Sequence, residues 1–211
     1  MRAEADRRQG PVGGVLLAAG SSSRMGENKL HLEIDGEPLL ARAARRGLAA
    51  GLSPLVVVLG HEAERSLRVL AGLDCRPIVN PDHGQGIVTS LRAGLAALPA
   101  DAVAAVVLLA DMPFVETGMI AGLVARYRAS AAPLVISDYA GVTAPPMLYD
   151  RLLFGELGAM DDGRCGKQVV RRHRAEAEVL SWPAAALADL DTPEDVASLL
   201  GAASAPAAGG V

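Results

Sequence analysis

The chain has few aromatic side chains, only 3% of its 211 residues. Its interior must therefore be aliphatic, and Trp182 alone is too little to argue for a platform on which bases would stack. Cysteine is nearly absent. Cys75 and Cys165 stand far apart and in no metal-ligand spacing, which argues against a disulfide framework or a cysteine-bound metal. No apolar run approaches the length of a membrane span, since the longest, Ala102 to Ala110, is about half of what is needed. A surplus of positive charge is missing too. With 20 Lys and Arg against 24 Asp and Glu, the net charge is -4, which speaks against a general nucleic-acid binder. The segment from Met1 to Gly10 is charged and lacks the apolar core of a signal peptide, so a cytoplasmic location is expected.

Hydrophobic residues nevertheless make up 51% of the chain, and the length suits one α/β domain with a sizeable core. Short apolar runs alternate with helical patterns, which predicts a mostly parallel sheet with helices on both faces: a three-layer, Rossmann-like α/β fold. Strands are expected at Val15–Ala18, Leu55–Leu59, Arg76–Val79, Val103–Ala110, Leu134–Ser137 and Ala177–Leu180, with Met147–Tyr149 expected to return beside them as an antiparallel strand. The wholly apolar Val103–Ala110 reads as a central strand buried on both faces. Helices are expected over Leu39–Ala50, His61–Leu70, Gly86–Leu98, from a Thr117 cap to about Ser130, near Arg151–Gly158 and Lys167–His173, and after Thr192-Pro193. Gly141, Pro145 and Pro146 mark an irregular excursion. Residues 12–200 form the domain, and 1–11 and 201–211 read as flexible tails.

The segment that carries chemistry is the first: Val15-Leu16-Leu17-Ala18-Ala19-Gly20-Ser21-Ser22-Ser23-Arg24-Met25-Gly26-Glu27-Asn28-Lys29. An apolar strand empties into a loop of Gly and Ser carrying an Arg and then a Lys. Small residues let backbone N–H groups approach phosphate oxygens, and the two cations offset their charge. The spacing is not that of a Walker A loop, because Glu27 and Asn28 separate Gly26 from Lys29. Nor is it a dinucleotide fingerprint, which needs a middle Gly between Gly20 and Gly26.

From Leu17 to Lys29 the chain resembles the nucleotidyltransferase superfamily, whose pattern is roughly L-A-[AG]-G-x-S-x-R-M-G-x-x-K. It is most similar there to the molybdenum cofactor nucleotidyltransferases, a resemblance extending from about Val12 to Leu200. Within that group Ala18-Ala19-Gly20 looks like the cytidylyl branch, and an Ala-Gly-Gly start like the guanylyl branch. The resemblance therefore implies CTP as donor and a molybdopterin-type cofactor as acceptor. It implies that Arg24 and Lys29 meet the phosphates alongside the amides of Ala18, Ala19, Gly20, Ser21, Ser22 and Ser23.

Ligands of open α/β sheets bind outside the carboxyl ends of the strands, and polar residues follow several of the expected strands. Gly60-His61 and Asn80-Pro81 follow the second and third, and Asp111 follows the wholly apolar one. Leu109-Ala110-Asp111-Met112-Pro113 resembles the superfamily's metal-binding L-x-D-x-P segment. Triphosphate chemistry usually needs Mg²⁺, a hard cation that takes one or two protein carboxylates. The run Asp189-Leu190-Asp191-Thr192-Pro193-Glu194-Asp195 resembles the family's late acidic segment, which implies that Asp191, or else Asp189, joins Asp111 at the metal. Helix-start acids serving the macrodipole would account for Glu194 and Asp195 without any metal. The Gly loop from Gly84 to Leu95 looks like the base-recognising stretch, with Gly86 in its turn and Ser90 facing the pyrimidine. His31, His61, His83 and His173 read as surface or structural residues, because an acceptor phosphate is already ionised and needs no general base.

The acceptor side departs from the family pattern. Where a Gly-His-Pro segment is common, Gly141-Val142-Thr143-Ala144-Pro145-Pro146 has no His. Thr143 and Pro145 are the candidate acceptor contacts there. Arg164 and Lys167, in a stretch resembling G-D-x-G-x-[RK], are candidates for an acceptor phosphate or plain surface cations. The resemblance thus implies a Mg²⁺-dependent cytidylyltransferase with Arg24, Lys29 and Asp111 as its catalytic residues, serving a molybdenum hydroxylase, with no nucleic-acid or membrane partner. Transfer of guanylyl or another nucleotide to a different phosphorylated acceptor stays open. So does a non-catalytic maturation factor that delivers cofactor. An oxidoreductase on the same scaffold would need a dinucleotide, for which the fingerprint is missing.

Overall fold

The computed structural model describes residues 6–20, 28–159 and 165–187. In chain order these form β1 (Val12–Ala18), the short strands β2 (Glu33–Ile34) and β3 (Glu37–Pro38), α1 (Leu39–Ala49), β4 (Leu55–Leu59), α2 (Ala63–Val69), β5 (Arg76–Val79) and α3 (Ile87–Ala96). There follow β6 (Ala104–Leu109), α4 (Thr117–Ala129), β7 (Leu134–Tyr139), β8 (Val142–Thr143), β9 (Met147–Asp150), α5 (Phe154–Ala159), α6 (Cys165–Arg172) and β10 (Glu178–Trp182). The main sheet runs β10-β7-β9-β6-β1-β4-β5, with β8 paired to β7. Pairing is parallel among β6, β1, β4 and β5 and between β7 and β10, while β9 is antiparallel to both of its neighbours. No helix among the described residues is long and apolar enough to cross a membrane.

Side-chain alternation along the strands divides the core in two. Leu16, Leu55, Val57, Val106 and Leu108 face α1 and α4, whereas Val15, Val56, Val58, Ala105 and Val107 face α3, α5 and α6. The expected aliphatic core is the one observed, and β6 is central and buried on both faces. Small residues set the spacing of the layers: any side chain at Gly94 of α3 would strike Val15 of β1.

Several expectations need correction. β1 begins at Val12 rather than Val15, because Gly13 and Gly14 pair in register with β6 and β4. The 33–38 segment is a hairpin whose turn, Asp35-Gly36, has φ of 55° and 75°, the double left-handed geometry an Asp-Gly pair supplies. The excursion at Gly141 is a second such turn: Ala140 and Gly141 have φ of 51° and 93°, and Asp138 and Tyr139 pair with Thr143 and Val142. Glu116, not Thr117, stands at the N-cap of α4.

Residues 6–11, expected to be part of a tail, are docked. Arg8 is only 4% exposed and donates to the carbonyls of Ala131 (2.8 Å) and Ala132 (2.9 Å) just past the end of α4, with its guanidinium 4.5 Å over the Tyr127 ring. Arg7 donates to Asp150 at 2.7 Å, and the Tyr127 hydroxyl donates to the same carboxylate oxygen at 2.6 Å. Asp150 is fully buried. Burial alone would raise its pKa, but the Arg7, Leu152 N–H and Tyr127 hydrogen bonds outweigh that and hold it below the ordinary carboxylate value. A buried charge made this way needs all its partners.

Candidate active site

The sheet builds up on both sides of β1. The chain passes from β1 to β4 and β5 on one side and then crosses to β6 on the other. At such a reversal the loops after the two central strands diverge and leave a crevice at their carboxyl ends. Gly20, which is exposed, follows the end of β1 on that rim, and Asp111 follows the end of β6 beside it.

Lys29 and Asp111, far apart in sequence, meet there. Lys29 lies on a 3-10 helix of three residues, Lys29–His31, and its Nζ is 2.8 Å from Asp111 Oδ2. The side chains are 13% and 27% exposed, so the pair sits at the mouth of the crevice, partly screened but reachable. The cation and the carboxylate thus neutralise each other as an ion pair. Leu30 anchors the 3-10 turn in the core, and the Asn28 side chain caps it by accepting from Leu30 N at 3.2 Å.

Neighbouring strand ends contribute backbone. Ala18 and Ala19 are buried at the end of β1. Gly60, ending β4, lies so close that a Cβ there would sit 2.7 Å from the Ala19 carbonyl oxygen and 2.6 Å from the His83 ring. Only glycine lets these two loops touch. Beyond β5, Asn80 donates to the hydroxyls of Thr89 (2.9 Å) and Ser90 (3.0 Å), and its own oxygen accepts from Asp82 N at 3.0 Å. Asn80 and Ser90 are both buried. Ser90 is thus held by Asn80 inside the loop, next to the exposed turn Gly84–Gly86, where Gly86 has φ 113°.

On the acceptor side, Thr143 is half-buried in β8. The Pro145 carbonyl accepts from the Tyr139 hydroxyl at 2.9 Å, and the Pro146 carbonyl from Ser137 Oγ at 2.6 Å. Ser137 in turn accepts from Trp182 Nε1 at 2.8 Å. These bonds fix the segment at the same edge of the sheet as Asp111. Lys167 is exposed in the first turn of α6, and no described contact ties it to Asp111 or Thr143. Ser21, Ser22, Ser23, Arg24, Arg164, Asp189 and Asp191 lie outside the described residues. Among the described residues no cluster of three or more His, Cys, Asp or Glu side chains gathers around a metal position; Asp111 supplies one carboxylate, the donor type a hard cation takes.

The model of the MobA-like NTP transferase domain matches residues 14–178. The chain belongs to that family. It is a nucleotidyltransferase, and the crevice holding Lys29 and Asp111 is the candidate centre of a MobA-like NTP transferase. The chain is 28% identical over 194 residues to the purine catabolism protein PucB of Bacillus subtilis, covering 86% of this chain and 92% of that one. It is 35% identical over 105 residues to a probable molybdenum cofactor guanylyltransferase of Opitutus terrae, half of each chain. Among solved structures it resembles Rv0371c of Mycobacterium tuberculosis, with a TM-score of 0.81, 26% identity and coverage of 90% of this chain and 98% of that one. A structure of the same protein in complex with manganese gives a TM-score of 0.76 at 25% identity, with the same coverage.

The sequence singles out no role for Arg46 in this MobA-like domain and gives His31 only a surface or structural one. Arg46 of α1 donates to the carbonyls of Pro113 and of Val115 (2.8 Å), which belong to the segment leaving Asp111. His31 is buried, with Nε2 3.0 Å from Ser66 Oγ. Neither has a local motif. Arg46 looks like one of several arginines on an amphipathic helix, and His31 like a lone imidazole.

Proposed function

We propose that this chain transfers CMP from CTP to the terminal phosphate of a molybdopterin-type cofactor and releases pyrophosphate. The observation that carries the reading is the 2.8 Å pair of Lys29 and Asp111 at the crevice between β1 and β6. Ala18-Ala19-Gly20 supports CTP as donor. The family, and the relative named a probable molybdenum cofactor guanylyltransferase, support a molybdenum-cofactor acceptor.

In this reading an oxygen of the acceptor phosphate attacks the α-phosphorus of the nucleotide. The bond from that phosphorus to the bridging oxygen breaks, and pyrophosphate leaves with the electron pair. No protein nucleophile or general base takes part, so the work is positioning and electrostatics. The Lys29 ammonium leaves Asp111 for the phosphate oxygens and offsets charge on the leaving group, and Arg24 serves the same charge. The amides from Ala19 to Ser23 orient the triphosphate, while the turn held by Asn80 borders the base. Asp111 fits Mg²⁺ as an oxygen donor, with Asp191 as the second carboxylate, and the metal when bound neutralises phosphate charge. The manganese held by the M. tuberculosis relative belongs to the same oxygen-seeking class. Thr143 and Pro145 border the acceptor, and Arg164 and Lys167 are its candidate phosphate contacts.

The Opitutus terrae relative favours GTP as the alternative donor. Mass analysis of the product formed from molybdopterin cofactor with Mg²⁺ and CTP, GTP or ATP tests the choice. A cytidylylated product is expected. A guanylylated product overturns the donor, and none with any nucleotide overturns the acceptor.

A further inference from the structure

Lys29 can act on a triphosphate only if its direction is set, yet it rides on a three-residue 3-10 helix. So short a turn does not hold itself; its geometry is imposed from outside. Leu30 fixes its depth in the core. His31 is buried, and its Nε2 lies 3.0 Å from Ser66 Oγ on α2, in a residue with no solvent exposure. The other ring nitrogen, Nδ1, is also buried. It makes no hydrogen bond and has the Glu62 carboxylate 3.7 Å away. That carboxylate favours a proton on Nδ1, which leaves Nε2 to accept from the Ser66 hydroxyl. Glu62 stands at the N-cap of α2 in left-handed backbone geometry (φ 52°), directly after Gly60-His61 at the rim.

The order Glu62–His31–Ser66 has the look of a hydrolytic triad, but Ser66 is sealed from solvent and cannot meet a substrate. An aliphatic pair would fill the same volume without the desolvation cost of two polar groups. What the polar pair adds is direction, because a hydrogen bond admits one orientation where a methyl contact admits many. We propose that His31 is a positioning residue for nucleotidyl transfer: bonded to Ser66, it fixes the rotation of the Lys29–His31 turn and so the direction from which the Lys29 ammonium meets the triphosphate, a role that rests on the reading of Lys29 given above.

The test is calorimetric affinity for magnesium pyrophosphate, the product that Lys29 would hold, with kcat and KM for nucleotide alongside. The variants are His31→Leu, His31→Gln, Ser66→Ala, Lys29→Ala and the double variant Lys29→Ala/His31→Leu. His31→Leu is expected to weaken pyrophosphate binding and lower kcat/KM about tenfold, the scale of a small misplacement of a charged group. His31→Gln, which can still reach Ser66, restores most of the loss. Ser66→Ala repeats it with the imidazole still packed, which covers a His31→Leu chain that fails to fold. In the Lys29→Ala background, His31→Leu changes nothing further, an outcome a merely structural role would not give. Equal loss with and without Lys29, or no loss in His31→Leu and Ser66→Ala, overturns the proposal. If Lys29→Ala itself leaves pyrophosphate affinity unchanged, the reading of Lys29 fails first and takes this role with it.

Discussion

Arg46 donates to the Val115 carbonyl at 2.8 Å, and through that bond the segment leaving Asp111 is tied to the helix packed beside it. The same guanidinium nitrogen also reaches the Pro113 carbonyl. Burial, and then Arg42 nearby, lower the Arg46 pKa from its ordinary value, and a guanidinium stays a cation at neutral pH.

Arg46→Ala should therefore loosen the Asp111 loop without touching substrate. The expected result is a roughly tenfold fall in kcat/KM, larger at low Mg²⁺, with an intact fold by circular dichroism. Steady-state kinetics across a Mg²⁺ titration reads it. An unchanged Mg²⁺ dependence would mean that the staple does not govern Asp111.

Lys29→Ala and Asp111→Asn should separate stability from turnover. Their ion pair lies at the mouth of the crevice with both side chains partly exposed, so it contributes about 1 kcal/mol or less to folding. Removing either charge from the transition state should lower kcat by about 10²–10³. Urea midpoints close to wild type beside a collapse of turnover are the expected pattern. A large loss of stability would mark the pair as structural.

Much of this was legible in the sequence. The strands Leu55–Leu59 and Arg76–Val79 have their ends marked by flanking turn residues, and Asp111 stands out as the polar residue just after an apolar strand. The two hairpins were legible in principle, since Asp35-Gly36 is a strong turn pair, but strands of two residues carry no periodicity. The docking of Arg7 and Arg8 was not legible. Their partners Asp150 and Tyr127 are far away in sequence, and a charged N-terminal stretch has the composition of a tail. Ser90 shows the converse. Its motif is legible in the sequence, and the fold adds that its hydroxyl oxygen accepts from Asn80.

Asp150→Ala should be the most damaging single change away from the site. It removes the buried carboxylate to which Arg7 and the Tyr127 hydroxyl donate and which lies 3.7 Å from Arg8, a loss of about 3–5 kcal/mol. Asp150 pairs with Ala104 at the start of β6, roughly 20 Å along the strand from Asp111, so KM should not change in whatever folds. Chemical denaturation and kinetics on the same samples test both halves.

Acid should destabilise the fold through His31. Burial, then the charge of Arg65, lower its pKa below the ordinary 6.5; Glu62 opposes and Arg68 adds to the lowering. The unfolded chain thus binds the proton more readily than the folded one. The contribution is fully present above 6.5 and is lost as the pH falls from there through the lowered folded value. Urea midpoints of wild type and His31→Leu measured across this range should converge as the pH drops. Parallel curves would contradict a buried neutral imidazole.

The most direct test of the central claim is pyrophosphate release with Mg²⁺, CTP and molybdopterin cofactor by wild type beside Asp111→Asn and Lys29→Ala, each shown to be folded. Release by wild type and its loss in both variants is the predicted result. Release undiminished in the variants, or none from wild type with any nucleotide, would contradict the assignment of transfer to the Lys29–Asp111 crevice.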